Sequence, residues 1–179
     1  MVRVRQPGLF LGEWACLGAL GSGRLHGFAL AKRLAPDGDL GRVWTLSRPL
    51  TYRAIGTVMD RGLIRPTGEE RGHAGPNRTV LSLTPKGRSM LKGWLAAPVS
   101  HPRDVRSELL LKIVLCDDMG VDRQALVVHQ LKLFRAHLAE REREAEGGGR
   151  DPVALWRVEF AAAAVGFLES LAAPKLSDT

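Results

Sequence analysis

The apolar and polar positions of this chain fall into short amphipathic blocks separated by glycine- and proline-rich breaks. Leu9, Trp14, Leu17 and Leu20 recur at helical steps and predict a first helix over 9–20, ended by Gly21-Ser22-Gly23. His26-Gly27-Phe28 opens a second helix running to Leu34, with Phe28, Leu30, Ala31 and Leu34 as its apolar face and Lys32-Arg33 outward. Pro36-Asp37-Gly38-Asp39 is a turn cluster, and Val43-Trp44-Thr45-Leu46 reads as a short extended piece. A third helix is predicted over 47–61. Ser47 caps its free amide groups, Pro49 sits in its first turn, and Ile55, Val58 and Met59 face inward. Gly62 stops it and Leu63-Ile64 begins a strand.

Beyond that strand the chain is polar and broken until Thr79-Val80-Leu81-Ser82-Leu83, which alternates as a half-buried strand does. The two strands make a β-hairpin over 65–82 whose tip carries Arg71, His73, Asn77 and Arg78. Thr84-Pro85 starts another helix, bearing Met90, Leu91, Trp94 and Leu95. Pro98 and Pro102 mark the expected boundary between a domain of residues 1–97 and one of residues 98–179. Three more helical patterns follow: Ser107 to Cys116, a long helix from Asp122 through Leu126, Leu131, Phe134 and Leu138, and a last one capped by Asp151-Pro152. That last helix carries Leu155, Trp156, Val158, Phe160, Val165, Phe167, Leu168 and Leu171 nearly all round, so it needs cover on several faces. A second copy of the chain is the expected cover.

Charge adds direction to this pattern. Residues 1–100 hold fifteen Lys and Arg against six Asp and Glu, a balance of +9, while residues 101–179 hold eleven against thirteen, a balance of −2. A basic first half joined to a near-neutral second half suits a polyanion bound at one end. Two helices followed by a basic third helix is the helix-turn-helix order, in which the third enters the major groove of double-stranded DNA. Arg48, Thr51 and Arg53 are expected nearest the bases, with Ser47 and Thr57 on the same helix. Tyr52, Lys32 and Arg33 are expected on phosphates, and Arg71, His73, Asn77 and Arg78 along the hairpin wing. The competing reading of the helix is an ordinary solvated surface helix.

The series Leu17-Gly18-Ala19-Leu20, Leu25-His26-Gly27-Phe28-Ala29-Leu30, Leu46-Ser47, Tyr52-Arg53-Ala54-Ile55, Gly62-Leu63-Ile64 and Leu83-Thr84-Pro85-Lys86-Gly87-Arg88 resembles the PadR family of bacterial transcription regulators over residues 9–97. The resemblance implies a mainly α protein: a winged helix-turn-helix of three helices plus a two-stranded wing, then a larger helical C-terminal dimerisation domain. It further implies a homodimeric repressor that binds an inverted-repeat operator and responds to a small aromatic effector. Trp14, Trp94, Phe134, Trp156 and Phe160 are the candidate lining of an effector pocket, each with core packing as the competing account.

Other classes fare worse. Cys16 and Cys116 sit in apolar runs and read as reduced thiols of a bacterial cytoplasmic, nucleoid-associated protein, with no Cys-x-x-Cys metal spacing. The alanine-rich stretch 154–173 contains Arg157, Glu159 and Glu169, so a membrane span is not expected. The five histidines are scattered, and His129 and His137 lie two turns apart on one helix, too far to share a metal, so no metal and no cofactor are expected. No nucleophile, base and orienting group assemble, so an enzyme is not expected. The remaining alternative is a winged-helix protein–protein interaction module that does not read DNA sequence.

Overall fold

The computed structural model describes residues 8–71, 77–146 and 151–173. Helices α1 (Leu11–Ala19), α2 (Gly27–Arg33) and α3 (Arg48–Asp60) come first, with a two-residue strand β1 (Leu25–His26) between α1 and α2. Strands β2 (Ile64–Glu70) and β3 (Arg78–Leu83) form the hairpin, and helices α4 (Pro85–Ala96), α5 (Leu110–Asp118), α6 (Gln124–Glu146) and α7 (Pro152–Ala172) follow. A 3-10 turn (Pro102–Asp104) and a π-helical turn (Val105–Leu109) precede α5. Among the described residues no helix is long and apolar enough to cross a membrane.

Two compact units result. The first comprises residues 1–95 together with Leu110–Val121; the second comprises Ala96–Leu109 and the chain from Asp122 onward. The sequence boundary at 97/98 assigns α5 to the C-terminal part, whereas here α5 packs within the first unit. The reason lies at Gly18 of α1: a Cβ there would meet Leu115 at 2.2 Å, so the two helices approach closely enough to exclude even a methyl group.

In the first unit the three helices and the sheet share one core of Leu17, Leu30, Leu34, Ile55, Val58, Leu63, Leu81 and Leu91, closed by Leu111 and Leu115. Trp14 and Trp94 stack at 4.7 Å with nearly parallel planes, and the buried Lys112 sets its ammonium 4.8 Å from the Trp94 ring. The sheet order is β1-β3-β2, antiparallel throughout, with Leu25 opposite Leu81 and a bulge between Pro66 and Gly68. Three helices with a β-hairpin after the third are the winged helix-turn-helix arrangement. Val43 and Trp44, expected to be extended, instead turn back on the Leu40 carbonyl.

Cys16 and Cys116 are free and buried. Burial, reinforced by the neighbouring Glu13 carboxylate, pushes the Cys16 thiol up to about 12, so it stays protonated and unreactive.

In the second unit α6 and α7 pack antiparallel: Gln124 donates to the Ala172 carbonyl, and Arg135 pairs with Glu169 at 2.7 Å. Phe134, Leu131, Val127, Val165 and Leu168 are buried there. Gln130 is wholly buried yet satisfied, accepting from the Val99 amide at 2.7 Å and donating to the Val99 carbonyl at 3.0 Å. Asp151 caps α7 by accepting from the Val153 and Ala154 amides.

Candidate nucleic-acid interface

Helix α3 starts and stops by local chemistry. The Ser47 hydroxyl accepts from the Leu50 amide at 3.5 Å, and Pro49 occupies the first turn. At the far end Gly62, at φ +67°, lets its amide reach the Met59 carbonyl, and Lys86 from α4 donates to the Arg61 carbonyl at 2.8 Å. The helix is therefore anchored at both ends.

Its buried face holds Ile55, Val58 and Met59 as the sequence reading has it, and takes in Thr51 as well. Thr51, Ala54, Ile55 and Val58 form the buried stripe, at the i, i+3, i+4, i+7 spacing of one helix face. Thr51 has no exposed surface, and its hydroxyl donates to the Ser47 carbonyl at 3.1 Å. A base contact by Thr51 is thus ruled out by the helix phase. Arg48, Tyr52 and Arg53 remain on the open side, while Thr57 is half-buried and donates to the Arg53 carbonyl.

Arg33 is a second correction. Its guanidinium pairs with Asp39 at 2.6 Å and Asp118 at 2.8 Å, and also donates to Ser22 and to the Ala19 carbonyl. The same guanidinium holds the Asp39 carboxyl below the usual carboxylate range. Arg33 therefore fastens α2 to the end of α1 and to α5 and has no reach left for a phosphate. Lys32, beside it, is exposed.

Between α3, α2 and the wing lies a cleft of about 700 Å³. Phe28, counted with the core in the sequence, stands 44% exposed in it and gathers two arginines. The Arg48 guanidinium lies 5.4 Å from the Phe28 ring centre and 5.9 Å from that of Tyr52; the Arg78 guanidinium, arriving from β3, lies 5.1 Å from Phe28. Close packing of Tyr52 on the α2 backbone makes this possible, since a Cβ on Gly27 would meet the Tyr52 ring at 2.8 Å.

His26 completes the corner. Its Nδ1 accepts the Ala29 amide at 3.0 Å and caps α2, which leaves Nε2 as the proton-bearing nitrogen of the neutral ring. That nitrogen faces Glu70 at 3.8 Å, with Arg78 Nη1 3.3 Å away. Neither Phe28 nor His26 was singled out by spacing, because each acquires its role from residues twenty or more positions away. Asn77 is engaged with Glu69 across the wing at 3.0 Å, and Arg71 is exposed. His73 lies outside the described residues.

The aromatic residues assigned to an effector pocket separate. Trp14 and Trp94 form the stacked pair in the core of the first unit, and Phe134 is core in the second. Trp156 and Phe160, one turn apart on α7, stack at 5.8 Å beside a cleft of the second unit.

No sequence-family model matches the chain. Over 84 residues it is 30% identical to the probable transcriptional regulator Rv1176c of Mycobacterium tuberculosis, a match covering 47% of this chain and 43% of that protein. The chain thus aligns with less than half of that relative's length. Among solved structures it is similar to Bacillus subtilis PadR in complex with operator DNA, with 22% identity, a TM-score of 0.46, and 90% of this chain and 97% of that one covered. It is also similar to smu.1604c of Streptococcus mutans, with 14% identity, a TM-score of 0.44, and 89% and 97% covered.

Proposed function

We propose that this chain is a PadR-like DNA-binding transcription regulator that acts as a homodimeric repressor. The observation that carries the reading is the convergence of Arg48, from the start of α3, and Arg78, from the wing, on the single exposed ring of Phe28. Two like charges held together repel, and an anion lodged between them removes that cost. A helix that presents Arg48, Tyr52 and Arg53 on one side, next to a cationic wing, suits a duplex whose groove takes the helix and whose phosphate strand takes the wing. Arg48 and Arg53 serve as base readers, and Tyr52, Lys32 and Arg78 as phosphate contacts. The short match to a probable transcriptional regulator supports the same class.

The second unit supplies the dimer contact in this reading. Val128 of α6 and Val153 and Leu155 of α7 are apolar and left bare by the single chain, and a second copy covers them. Two-fold symmetry then requires an inverted-repeat operator with half-sites about one or two helical turns apart. A small aromatic effector bound to the second unit releases the operator, and the dimer works in a bacterial cytoplasm.

Selection of bound duplexes from a random pool, followed by titration, tests this. An inverted repeat should emerge, and affinity should fall by roughly a thousandfold between about 50 and 200 mM salt if six to ten phosphates are neutralised. No enriched sequence, with a flat salt response, would leave the interaction-module account instead.

A further inference from the structure

The second unit contains its own cleft of about 600 Å³, and its chemistry is one-sided. Four of the residues lining it are arginines: Arg103 and Arg106 from the turns before α5, Arg141 from α6 and Arg157 from α7. Among the described residues no carboxylate lines it, although residues 101–179 as a whole carry more acids than bases. Arg141 is matched by Glu144 at 2.6 Å, and Arg103 by Asp104 at the longer 3.8 Å. Among the described residues Arg106 and Arg157 have no ion-pair partner. Among the described residues, two cations therefore stand without an ion pair on one cleft.

The same cleft holds a flat apolar surface. Trp156 is 66% exposed and stacks on Phe160 with planes 22° apart, so its indole offers an open aromatic face backed by a second ring. A planar ring laid on such a surface gains stacking and apolar burial. All four cations are arginine, whose planar fork matches the oxygens of a phosphate two at a time. A volume of this size accommodates a fused ring with one substituent.

We infer that this cleft binds a planar aromatic compound bearing a phosphate dianion, its ring on Trp156 and its phosphate shared by Arg106 and Arg157. A dianion balances both free guanidiniums, whereas a monocarboxylate balances one. The inference gives a ligand class to the effector part of the function proposed above and is independent of the DNA part.

Titration calorimetry on the intact chain without DNA tests it, with 1-naphthyl phosphate, 1-naphthoate and inorganic phosphate as probes. Naphthyl phosphate should saturate one site per chain and bind at least about tenfold more tightly than either other probe, as expected for losing one charge-assisted pairing or the ring contact. Trp156→Leu and Arg157→Gln, both at exposed positions, should each weaken it about tenfold with an unchanged circular dichroism spectrum, and Arg48→Ala should leave it unaltered. The inference is overturned if naphthyl phosphate fails to saturate, if the three probes bind alike, or if both α7 variants bind as tightly as the parent. Operator binding can survive any of those outcomes, so the two readings fail separately.

Discussion

Replacing Arg48 and Arg78 together by alanine is expected to weaken binding of the selected duplex by a hundredfold or more, with no change in thermal stability. Each arginine is solvent-facing and contributes nothing to the core, so its removal leaves the fold intact. A guanidinium that forks onto a base edge or a phosphate is worth roughly 1–3 kcal/mol at the interface, and two such losses compound. The two effects should also interact, because both side chains rest on Phe28. Phe28→Ala should therefore lower affinity by about three- to tenfold without removing any charge, as expected when two cation–π contacts of roughly 0.5–1 kcal/mol no longer hold the arginines in place. Gel retardation at fixed salt reads all of these. Unchanged affinity in the double variant would show that the cleft at Phe28 lies off the duplex.

A large expected effect on stability comes from a residue remote from that cleft. Gly87 lies in the first turn of α4, and a Cβ there would meet the Leu63 carbonyl oxygen at 2.0 Å. That carbonyl cannot step aside, since it accepts the Thr84 amide at 2.9 Å and the Thr84 hydroxyl at 3.2 Å. Thr84 in turn accepts the Gly87 amide at 3.0 Å and donates to the Gly62 carbonyl at 2.8 Å, so one small cluster ties the end of α3, the start of β2 and the start of α4. Gly87→Ala must break this cluster or tilt α4, and should cost about 2 kcal/mol or more, which lowers Tm by about 4–8 °C for a chain of this size. Gly56→Ala is the matched control: its Cβ would meet nothing within 4 Å, and its helical position makes alanine neutral to stabilising by about 1 kcal/mol. Equal melting curves for the two variants would refute this account of the wing's attachment.

The pattern of legibility follows from the range over which each feature is decided. Ser47 with Pro49, Gly62, Thr84 with Pro85, and Asp151 with Pro152 act on amides and carbonyls within a turn of themselves, and all four element ends lie where their chemistry puts them. The order of helices, hairpin and helices was likewise legible, since hydrophobic spacing is local. What distant partners decide was not. Strand β1 is two residues long and exists because Leu81 and Val80, more than fifty positions on, pair with it. Arg33 looks like a free basic residue until Asp118, 85 positions later, takes its guanidinium. Phe28 looks like core until two arginines arrive over its ring. Thr51 differs in kind: Ile55, Val58 and Met59 pack inward as read, and only the helix phase adds Thr51 to that face.

Those corrections sharpen the candidate interface. Removing Thr51 and Arg33 leaves a compact surface made by the start of α3, the Phe28 corner of α2 and the base of β3. The first unit alone holds it.

The account stands or falls on that surface meeting DNA, and NMR of the amide and arginine side-chain signals during titration with the selected duplex examines it directly. Perturbations should concentrate at His26–Phe28, at Ser47–Thr57 and at Asn77–Thr79, with the Arg48, Arg53 and Arg78 side-chain signals moving most. Signals there that stay unmoved while the duplex is bound, or that shift only in α6 and α7, would contradict it.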